Sequence, residues 1–425
     1  MKITMSASSP RAVAMGRRVR WSASFASIFS ENGYFRPTPA PAIALPMNPE
    51  VVDVAVVGGG IAGVSVAAML AETLRVVVLE RESHPGLHST GRSAALFSEI
   101  YGGETIRALS RGSRDFLYSP PAGFAESPLV RPRGTLHVAT VGQEQRLNEF
   151  ASLPDVAPAI RWLDGPAARA SCPILREDYV VAGVLETASA DLDVNGLHQG
   201  WLRQLRARGG RLLVNAEVNT LEHTGAAWKL TTADASIQAD VVVNAAGAWA
   251  DVLARLAGVR EVGLQPRRRT ALIVDVPPGL QSDEWPMVID IDEQFYFKPD
   301  AGTLLLSPAD ETPTEPCDAW PDDWDVAVAV DRIQRATTLE VERVRRSWAG
   351  LRSFVADRTP VVGYAPDAPG FFWLAGQGGY GIQTAPAMAL LAAALVRRMA
   401  VPQQLLNFGL DSRSLRPERP QPQPL

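Results

Sequence analysis

The chain has 425 residues, of which 46% are hydrophobic and 20% are charged, and its formal net charge is −5. This composition is typical of a soluble globular protein, and the length indicates two domains or one large domain with insertions. A mildly acidic chain is not expected to bind nucleic acid, which requires a basic patch. Two cysteines exclude a disulfide framework and any four-cysteine metal site, and they favour a reducing compartment.

The two ends of the chain differ from the rest. Residues 1–46 carry six basic residues and one acidic residue before a stretch rich in Pro and Ala. Such a start is typical of a transit peptide, but we favour Met47 as the true start, which makes 1–46 an unstructured extension. The Pro-rich residues 411–425 are predicted to be a disordered tail. No apolar run reaches the ~18–20 residues that span a bilayer. We therefore expect a cytoplasmic protein with at most peripheral contact with the inner membrane.

A dinucleotide fingerprint follows the first predicted strand. Val51–Val57 is an apolar run typical of a strand buried on both faces, Ile61–Thr73 has a helical pattern, and Arg75–Leu79 is a second buried strand. The motif GGGIAG joins the first strand to the helix, and its functional glycines are Gly58, Gly60 and Gly63. They permit a tight turn, the approach of a pyrophosphate to the backbone, and close packing of the helix on the strand.

Glu80 completes this βαβ unit, because it ends the second strand. A carboxylate at this position accepts hydrogen bonds from ribose hydroxyls, and the N-terminus of the helix offers free N–H groups to phosphates. Strand, glycine turn, helix and terminal acid together predict a dinucleotide site.

Later segments alternate between two patterns. Ala239–Asn244 is a buried strand followed by a helix that stops at Gly258, and near the C-terminus Gly370–Leu374 and Gln383–Arg398 form another strand and helix. Between them, LQPRRRTALIVDV, MVIDID, FYFKP and TLLLSP are strand-like segments separated by turns, as in an antiparallel sheet.

We therefore predict an α/β fold. A discontinuous, Rossmann-like nucleotide-binding domain carries an inserted α+β substrate domain with a mostly antiparallel sheet. The predicted segments are 47–130, 190–260 and 345–410 for the nucleotide-binding domain, and 131–189 and 261–344 for the substrate domain.

The segment HSTGRSAA favours FAD over NAD, because an NAD domain normally continues as an uninterrupted half-fold. Its Ser89, Thr90, Arg92 and Ser93 place hydroxyls and a guanidinium at a predicted helix start, which suits a second anion or a ring edge. An ordinary N-cap cluster would explain the first two residues, but it leaves the turn at Gly91 unexplained.

Five motifs, VVGGGIAG, LERE, HSTGRSAA, VVNAAGAWAD and AGQGGYGIQTAPAM, resemble in this order the D-amino-acid oxidase/glycine oxidase family of FAD enzymes. Residues 50–410 resemble most closely the bacterial D-arginine dehydrogenase branch, with PPAGF, GLHQGWLRQLR, LQPRRR, FYFKPDAG and WAGLRSFVAD as further shared stretches. The resemblance implies hydride transfer from the Cα of a D-amino acid to flavin N5. The resulting imino acid is hydrolysed to a 2-oxo acid and ammonia.

The resemblance also implies the contacts of the flavin. They are Ala62, Glu80, Arg81, Ser89, Thr90, Gly91, Arg92, Ser93, Ala94, Ala95, Leu96, Val218, Gly378, Gly379, Tyr380, Gly381, Ile382 and Gln383. Independently, three glycines before a helix can form a backbone cradle whose dipole stabilises negative charge, although they also suit an ordinary strand-to-helix turn. Neither cysteine lies in the C-terminal segment of this set, so we expect FAD to be non-covalent.

Two arginines are candidates for holding a substrate carboxylate, which a planar guanidinium binds in bidentate fashion. Arg352 lies in the apolar run WAGLRSF, where an unpaired charge is costly, and the resemblance gives it this role. Arg269 is the second such position, with a structural salt bridge as the alternative.

The resemblance places Tyr101 and Tyr296 beside the substrate, with Ser98 and Gly379 as further contacts. Alternation along Phe295-Tyr296-Phe297 puts the tyrosine on the face opposite both phenylalanines, although a tyrosine in the core is the plain alternative. Neither tyrosine needs to act as a base, because orienting a neutral amine suffices.

Two departures from the branch concern its specificity. Thr135 stands where the branch has a carboxylate for a cationic side chain, and Leu96 replaces a histidine of the helix that lines its pocket. We therefore expect a D-amino acid with a neutral, apolar side chain rather than D-arginine. The five histidines are scattered, so no metal site is expected.

Several points stay open at this stage. The electron acceptor is a quinone, a dye or O₂, and the oligomeric state is undetermined, a monomer included. One alternative is a sarcosine/glycine-type amine oxidase that uses O₂. The other is a flavoprotein without turnover, against which the joint presence of Arg269, Arg352, Tyr101 and Tyr296 argues.

Overall fold

The computed structural model describes residues 49–420, so the extension predicted for 1–46 and residues 421–425 lie outside the described residues. The described chain belongs to one compact unit. Its strands are β1 Glu50–Val57, β2 Val76–Leu79, β3 Leu96–Phe97, β4 Val130–Pro132, β5 Thr135–Ala139, β6 Ile160–Asp164, β7 Ala182–Glu186, β8 Ala190–Leu192, β9 Arg211–Leu213, β10 Thr220–His223, β11 Trp228–Thr231, β12 Ser236–Asn244, β13 Gln265–Asp275, β14 Met287–Asp290, β15 Tyr296–Asp300, β16 Thr303–Ser307, β17 Thr312–Pro313, β18 Val344–Phe354, β19 Val361–Tyr364 and β20 Phe371–Ala375. Its helices are α1 Ile61–Leu70, α2 Glu104–Tyr118, α3 Glu144–Ala151, α4 Gly165–Ser171, α5 Val194–Ala207, α6 Ala250–Leu256, α7 Asp323–Ala336, α8 Gly381–Val396 and α9 Gln403–Asn407. No helix within residues 49–420 is long and apolar enough to cross a membrane.

The first sheet has eight strands and a parallel centre. β1 pairs in parallel with β2 and β12, and β12 pairs in parallel with β20. Val54 and Val56 pack among residues of α1, α2, α5 and α8, whereas Ala55 and Val57 belong to a second cluster with residues of α6. The apolar run of β1 is thus explained by helices on both faces. Helix α1 ends at Leu70 rather than at the predicted Thr73, because residues 71–74 form a turn.

The second sheet has nine strands in the order β17-β13-β16-β15-β14-β5-β7-β6, with β18 on β13. The pairing of β5 with β14 is parallel and the other pairings are antiparallel, in agreement with the predicted mostly antiparallel sheet. Phe295 and Phe297 pack on one face and Tyr296 on the other, as their alternation predicts. β18 belongs to this sheet although the sequence places residues 345–410 in the nucleotide-binding domain, because it pairs along its length with β13. A third, small sheet has the order β3-β8-β4.

The segment predicted to be a disordered tail is ordered as far as residue 420. It contains a short 3-10 helix, Ser412–Leu415, and the Leu415 side chain is fully buried. Arg419 donates to the carboxylate of Asp357 at 2.6 Å and to the backbone carbonyl of Thr359 at 2.5 Å. The Pro-rich composition predicts disorder, but Leu415 and Arg419 anchor the segment to the fold, so the structure differs here from the prediction.

Replacing Leu415 with Ala should destabilise the protein by about 2–5 kcal/mol, because it removes a fully buried side chain. Leu406 is 42% exposed, so Leu406→Ala is the matched control and should change stability by less than about 1 kcal/mol. Urea unfolding of the three proteins measures both effects. Equal midpoints for Leu415→Ala and wild type would show that the tail contributes nothing to the fold.

Candidate active site

Three neighbouring cavities run from the first sheet to the second, with volumes of about 190, 140 and 60 Å³. We call them the nucleotide, central and inner cavities. Ser89 and Thr90 line both the nucleotide and the central cavity, and Arg269, Tyr296 and Arg352 line both the central and the inner cavity. Because neighbouring cavities share walls, an elongated ligand in the first two would reach a small molecule in the third.

The glycine turn after β1 borders the nucleotide cavity, and its backbone geometry requires glycine. Gly58 has φ +110°, and a Cβ there would lie 2.3 Å from the carbonyl oxygen of Ala245, which directly follows the neighbouring strand β12. A Cβ on Gly63 would lie 1.9 Å from the carbonyl oxygen of Gly58. Gly58 and Gly63 therefore permit the tight turn and the close packing of α1 on β1 that the sequence predicts. At the N-terminus of α1, Gly60 lines both the nucleotide and the central cavity, and Ile61 lines the central cavity.

Glu80 is fixed at the end of β2. One carboxylate oxygen accepts from the backbone N–H of Gly59 at 2.7 Å and the other from the N–H of Glu82 at 2.9 Å. Each oxygen keeps a further lone pair, which a ribose hydroxyl can use. The Arg81 guanidinium lies 4.1 Å above the ring of Trp249, and both residues line the same cavity.

The segment HSTGRSAA does not begin a helix, so this prediction was wrong. Turns extend to Arg92, and the short strand β3 follows, with Leu96 as its first residue rather than in a helix. The N–H of Gly91 donates to the carbonyl of Gly86 at 2.8 Å, and a Cβ on Gly91 would lie 2.7 Å from the same oxygen. The hydrogen-bonded turn that closes at Gly91 therefore determines the local structure, and the N-cap pattern of Ser89 and Thr90 does not start a helix here.

The polar groups of this segment are largely used within the protein. The Ser89 hydroxyl donates to the carbonyl of Leu351 at 2.7 Å, and Thr90 Oγ1 accepts from the N–H of Ile61 at 3.0 Å. The Arg92 guanidinium donates to the carbonyls of Ala319 and Ala349 and pairs with Asp318. Arg92 lines the central cavity, but these contacts make it a clamp between segments rather than a free anion ligand.

The turn before α8 closes the central cavity. Gly378 has φ +55°, and a Cβ there would lie 2.1 Å from the ring of Phe354. A Cβ on Gly379 would lie 2.8 Å from Arg352 Cζ, so glycine lets the guanidinium approach the turn. Gly381 and Ile382, the first residues of α8, also line this cavity.

Arg352 brings a positive charge into the inner cavity. Its NH1 group donates weakly to the hydroxyl of Tyr101 at 3.5 Å, and it forms no salt bridge with any described carboxylate. Burial raises the pKa of Tyr101, and the charge of Glu293 adds to this effect while Arg352 opposes it. The phenol therefore stays protonated at neutral pH.

Arg269 is more firmly tied to the protein. Its Nε donates to the carbonyl of Asp310 at 2.8 Å and its NH2 group to Glu311 at 3.1 Å, while Arg358 pairs with the same carboxylate. The Arg269 guanidinium lies 5.9 Å from the ring centre of Tyr296. The structural salt bridge considered as an alternative for Arg269 is thus present, with Glu311 as its partner. The NH1 group of Arg269 remains available for a ligand.

Most of the predicted site residues border the three cavities. They are Gly58, Gly60, Ala62, Glu80, Arg81, Ser89, Thr90, Arg92, Ser93, Ala94, Ala95, Leu96, Ser98, Tyr101, Thr135, Val218, Arg269, Tyr296, Arg352, Gly378, Gly379, Gly381, Ile382 and Gln383. Gly63, Gly91 and Tyr380 do not line them and act through packing, the last with its ring 5.1 Å from that of Tyr101.

Sequence reasoning missed several residues of the inner cavity. His137, Met287, Ile289 and Glu293 line it beside Thr135. The alternation of strand residues could have identified His137, which lies two positions after Thr135 on β5 and so shares its face. Glu293, by contrast, lies in a turn and has φ +53°, which no periodic pattern predicts.

Glu186 is a buried carboxyl directly behind this cavity. On β7 it pairs in register with Thr135, and it accepts from Ser98 Oγ at 2.7 Å and from the N–H of Glu99 at 2.9 Å. Burial raises its pKa to about 7, against the opposing effect of these hydrogen bonds. Cross-strand pairing between β5 and β7 is a tertiary feature, so no local sequence pattern indicates this group.

A family model described as FAD dependent oxidoreductase, the DAO family, matches residues 53–395. The chain belongs to this family. Glycine oxidase from Geobacillus kaustophilus is 24% identical over 376 residues, which cover 84% of this chain and 96% of that relative. Mitochondrial sarcosine dehydrogenase from Mus musculus is 26% identical over 259 residues, which cover 56% of this chain and 28% of the relative.

Solved structures share the fold. The crystal structure of the glycine oxidase from Geobacillus kaustophilus has a TM-score of 0.72 at 23% identity and covers 85% of this chain and 99% of its own. That of L-proline dehydrogenase from P. horikoshii has a TM-score of 0.72 at 22% identity and covers 84% and 96%. An L-alpha-glycerophosphate oxidase from Mycoplasma pneumoniae, solved with FAD bound, has a TM-score of 0.73 at 20% identity and covers 82% and 95%. The protein is an FAD-dependent oxidoreductase.

The residues of the first two cavities fit FAD. Glycines 58 and 63 hold the first turn of α1 where a pyrophosphate can approach, and Glu80 has lone pairs for a ribose. Glycines 378 and 379 let Phe354 and Arg352 pack against the turn that lines the central cavity, and the N-terminus of α8 adds N–H groups for the polar edge of a ring system there. Neither cysteine is among the described residues that line the three cavities, and no group of metal-ligating side chains is found within residues 49–420.

Gly63→Ala should lower the FAD affinity at least about tenfold, because the new Cβ would lie 1.9 Å from the carbonyl oxygen of Gly58 and displace α1. Gly103→Ala is the control, since a Cβ there meets nothing within 4 Å. Equilibrium titration of the apoproteins with FAD measures both constants. Unchanged affinity in Gly63→Ala would contradict the assigned role of the turn.

Glu186 predicts a pH-dependent stability. Its folded pKa of about 7 exceeds its ordinary value of 4.5, so between these values the folded state holds a proton that the unfolded state has lost. Stability should therefore fall as pH rises through this window, by at most about 3 kcal/mol. Glu186→Gln mimics the protonated form, so its free energy of unfolding should lack this dependence on pH. Urea unfolding of both proteins at pH 5 and pH 8 measures the difference. Parallel pH profiles for both proteins would refute the assignment.

Proposed function

We propose that the protein oxidises D-amino acids with uncharged side chains, giving 2-oxo acids and ammonia. The observation that carries the proposal is Arg352, a guanidinium without a salt-bridge partner among the described residues that lies where the central and inner cavities meet. A bidentate carboxylate suits it, and the substrate Cα would then lie beside the flavin ring. The sequence resemblance to the D-arginine dehydrogenase branch supports the D configuration.

The side chains around Arg352 can orient the rest of the substrate. Tyr101 and Tyr296 line the cavity and their hydroxyls can accept or donate hydrogen bonds at the amine, and NH1 of Arg269 can add a contact to the carboxylate. When bound, non-covalent FAD supplies a two-electron acceptor for the hydride that leaves Cα. The amine nitrogen loses a proton to become an imine, which water hydrolyses.

The substrate side chain would extend toward β5 and β14. Leu96, Met287 and Ile289 give this part of the cavity apolar walls, and Thr135 stands where a cationic side chain would need a carboxylate. The negative charge of Glu293 acts instead on Tyr101 and Arg352: it adds to the effect of burial in raising the pKa of Tyr101, and it favours the charged form of Arg352. These contacts favour an uncharged side chain.

A small amine is the second candidate, because glycine oxidase and sarcosine dehydrogenase are among the relatives. Anaerobic bleaching of the flavin absorption by D-amino acids, L-amino acids, glycine and sarcosine separates the two proposals. Reoxidation with O₂, a quinone or a dye, together with peroxide detection, then identifies the electron acceptor. If no D-amino acid bleaches the flavin, the proposal fails, and if D-arginine is clearly the best substrate, the preference for uncharged side chains fails.

Arg352→Lys should raise the substrate KM by about 10- to 100-fold, because it keeps the charge but loses the bidentate geometry. Arg343→Lys is the control, since Arg343 is an exposed arginine that lines none of the three cavities. Steady-state kinetics with the best D-amino acid measures both values. A KM unchanged in Arg352→Lys would remove this residue from carboxylate binding.

A further inference from the structure

The inner cavity has a wall that the proposed chemistry leaves unused. β5 and β14 pair in parallel, with Thr135 opposite Met287 and His137 opposite Ile289. These four residues share one face and line the cavity, and we call them the β5–β14 wall. In the sheet β5 lies four strands away from β13, which carries Arg269, so the wall faces the substrate side chain rather than its carboxylate.

The hydroxyls around this wall already have partners for their protons. Ser98 Oγ donates to Glu186 Oε2 at 2.7 Å and accepts from the N–H of Ile100 at 3.3 Å. Ser189 Oγ also lies 3.3 Å from the carbonyl oxygen of Glu186, and the 2.7 Å hydrogen bond between Ser189 and Thr135 can use the proton of either hydroxyl. Ser98 and Thr135 therefore both have hydrogen-bond partners within the protein.

His137 is different. It is 6% exposed, its ring lies 4.9 Å from that of Phe150, and its Nε2 makes no hydrogen bond. Burial lowers its pKa to about 4, so the ring is neutral at physiological pH, with one donor and one acceptor nitrogen. Nε2 is enclosed by protein atoms, whereas Nδ1 is not among the enclosed atoms and has no hydrogen-bond partner within residues 49–420. Because the ring lines the inner cavity and an unpartnered buried nitrogen is costly, a ligand there can supply a hydrogen bond to Nδ1.

We propose that His137 is a specificity-determining residue that hydrogen-bonds the end of an uncharged polar substrate side chain, such as a carboxamide. This inference rests on the proposed function. Met287 and Ile289 would contact the apolar stem of the side chain, while the neutral imidazole would meet its polar end. The proposal replaces the apolar side chain expected from the sequence with one that is uncharged but capable of hydrogen bonding.

Isosteric substrate pairs test this proposal. D-asparagine and D-leucine have the same shape, as do D-glutamine and D-homoleucine, and each pair differs by a carboxamide in place of an isopropyl group. The ratio of kcat/KM for the amide to that for its isostere should fall about tenfold in His137→Leu, mainly through KM. His137→Gln should restore part of the ratio. His223→Leu, at an exposed histidine on β10, is the matched control and should leave it unchanged.

A binding measurement separates this proposal from the proposed function. Glutaramate and 5-methylhexanoate are isosteric acids without an amine, and their binding to the FAD-loaded protein perturbs the flavin absorption without turnover. Loss of the preference for glutaramate in His137→Leu supports the role of His137 whether or not D-amino acids reduce the flavin. Equal ratios in wild type and His137→Leu, in both experiments, would overturn it. If His137→Leu does not fold, His137→Phe keeps a flat ring and carries the same test.

Discussion

The antiparallel pairing of β13 with β18 is the interaction on which the site depends. It runs from Gln265 opposite Phe354 to Val274 opposite Val344, and it places Arg267 opposite Arg352 and Arg269 opposite Gly350. Arg269 and Ala271 of β13 and residues 350–353 of β18 line the central cavity. A shift of one residue would turn every side chain of β18 to the other face and remove Arg352 from both cavities.

Local charge, rather than the charge of the whole chain, governs ligand binding here. The chain is acidic, yet FAD and an amino-acid carboxylate are both anionic. Under the proposed function, binding would rely on the N-termini of α1 and α8 and on Arg352, whose guanidinium has no salt bridge to any residue that the structure describes. Glu311 and Asp310 engage Arg269 instead, so the two arginines differ in the freedom they retain for a ligand.

The sequence predicts best where a single local pattern determines the structure. The glycine turn between β1 and α1, the buried run of β1 and the opposite faces of Tyr296 and Phe297 were all accessible in this way. Prediction from the sequence failed at HSTGRSAA, where the turn that closes at Gly91 forms instead of a helix start. It also failed in the C-terminal tail, where Leu415 and Arg419 anchor a Pro-rich segment. Glu186 could not have been found, because its position behind Thr135 depends on which strands become neighbours.

The order in which the strands of the first sheet occur along the chain bears on cofactor loading. β1 is completed at residue 57, but its neighbour β12 ends at residue 244 and β20, beyond β12, ends at residue 375. The turn at Gly378 and Gly379 and the helix α8, which close the central cavity, come later still in the sequence. Contacts this distant in sequence form late, since long loops must close first. The flavin site is therefore incomplete until α8 has been synthesised, and FAD can make its full set of contacts only with a chain that extends beyond this helix.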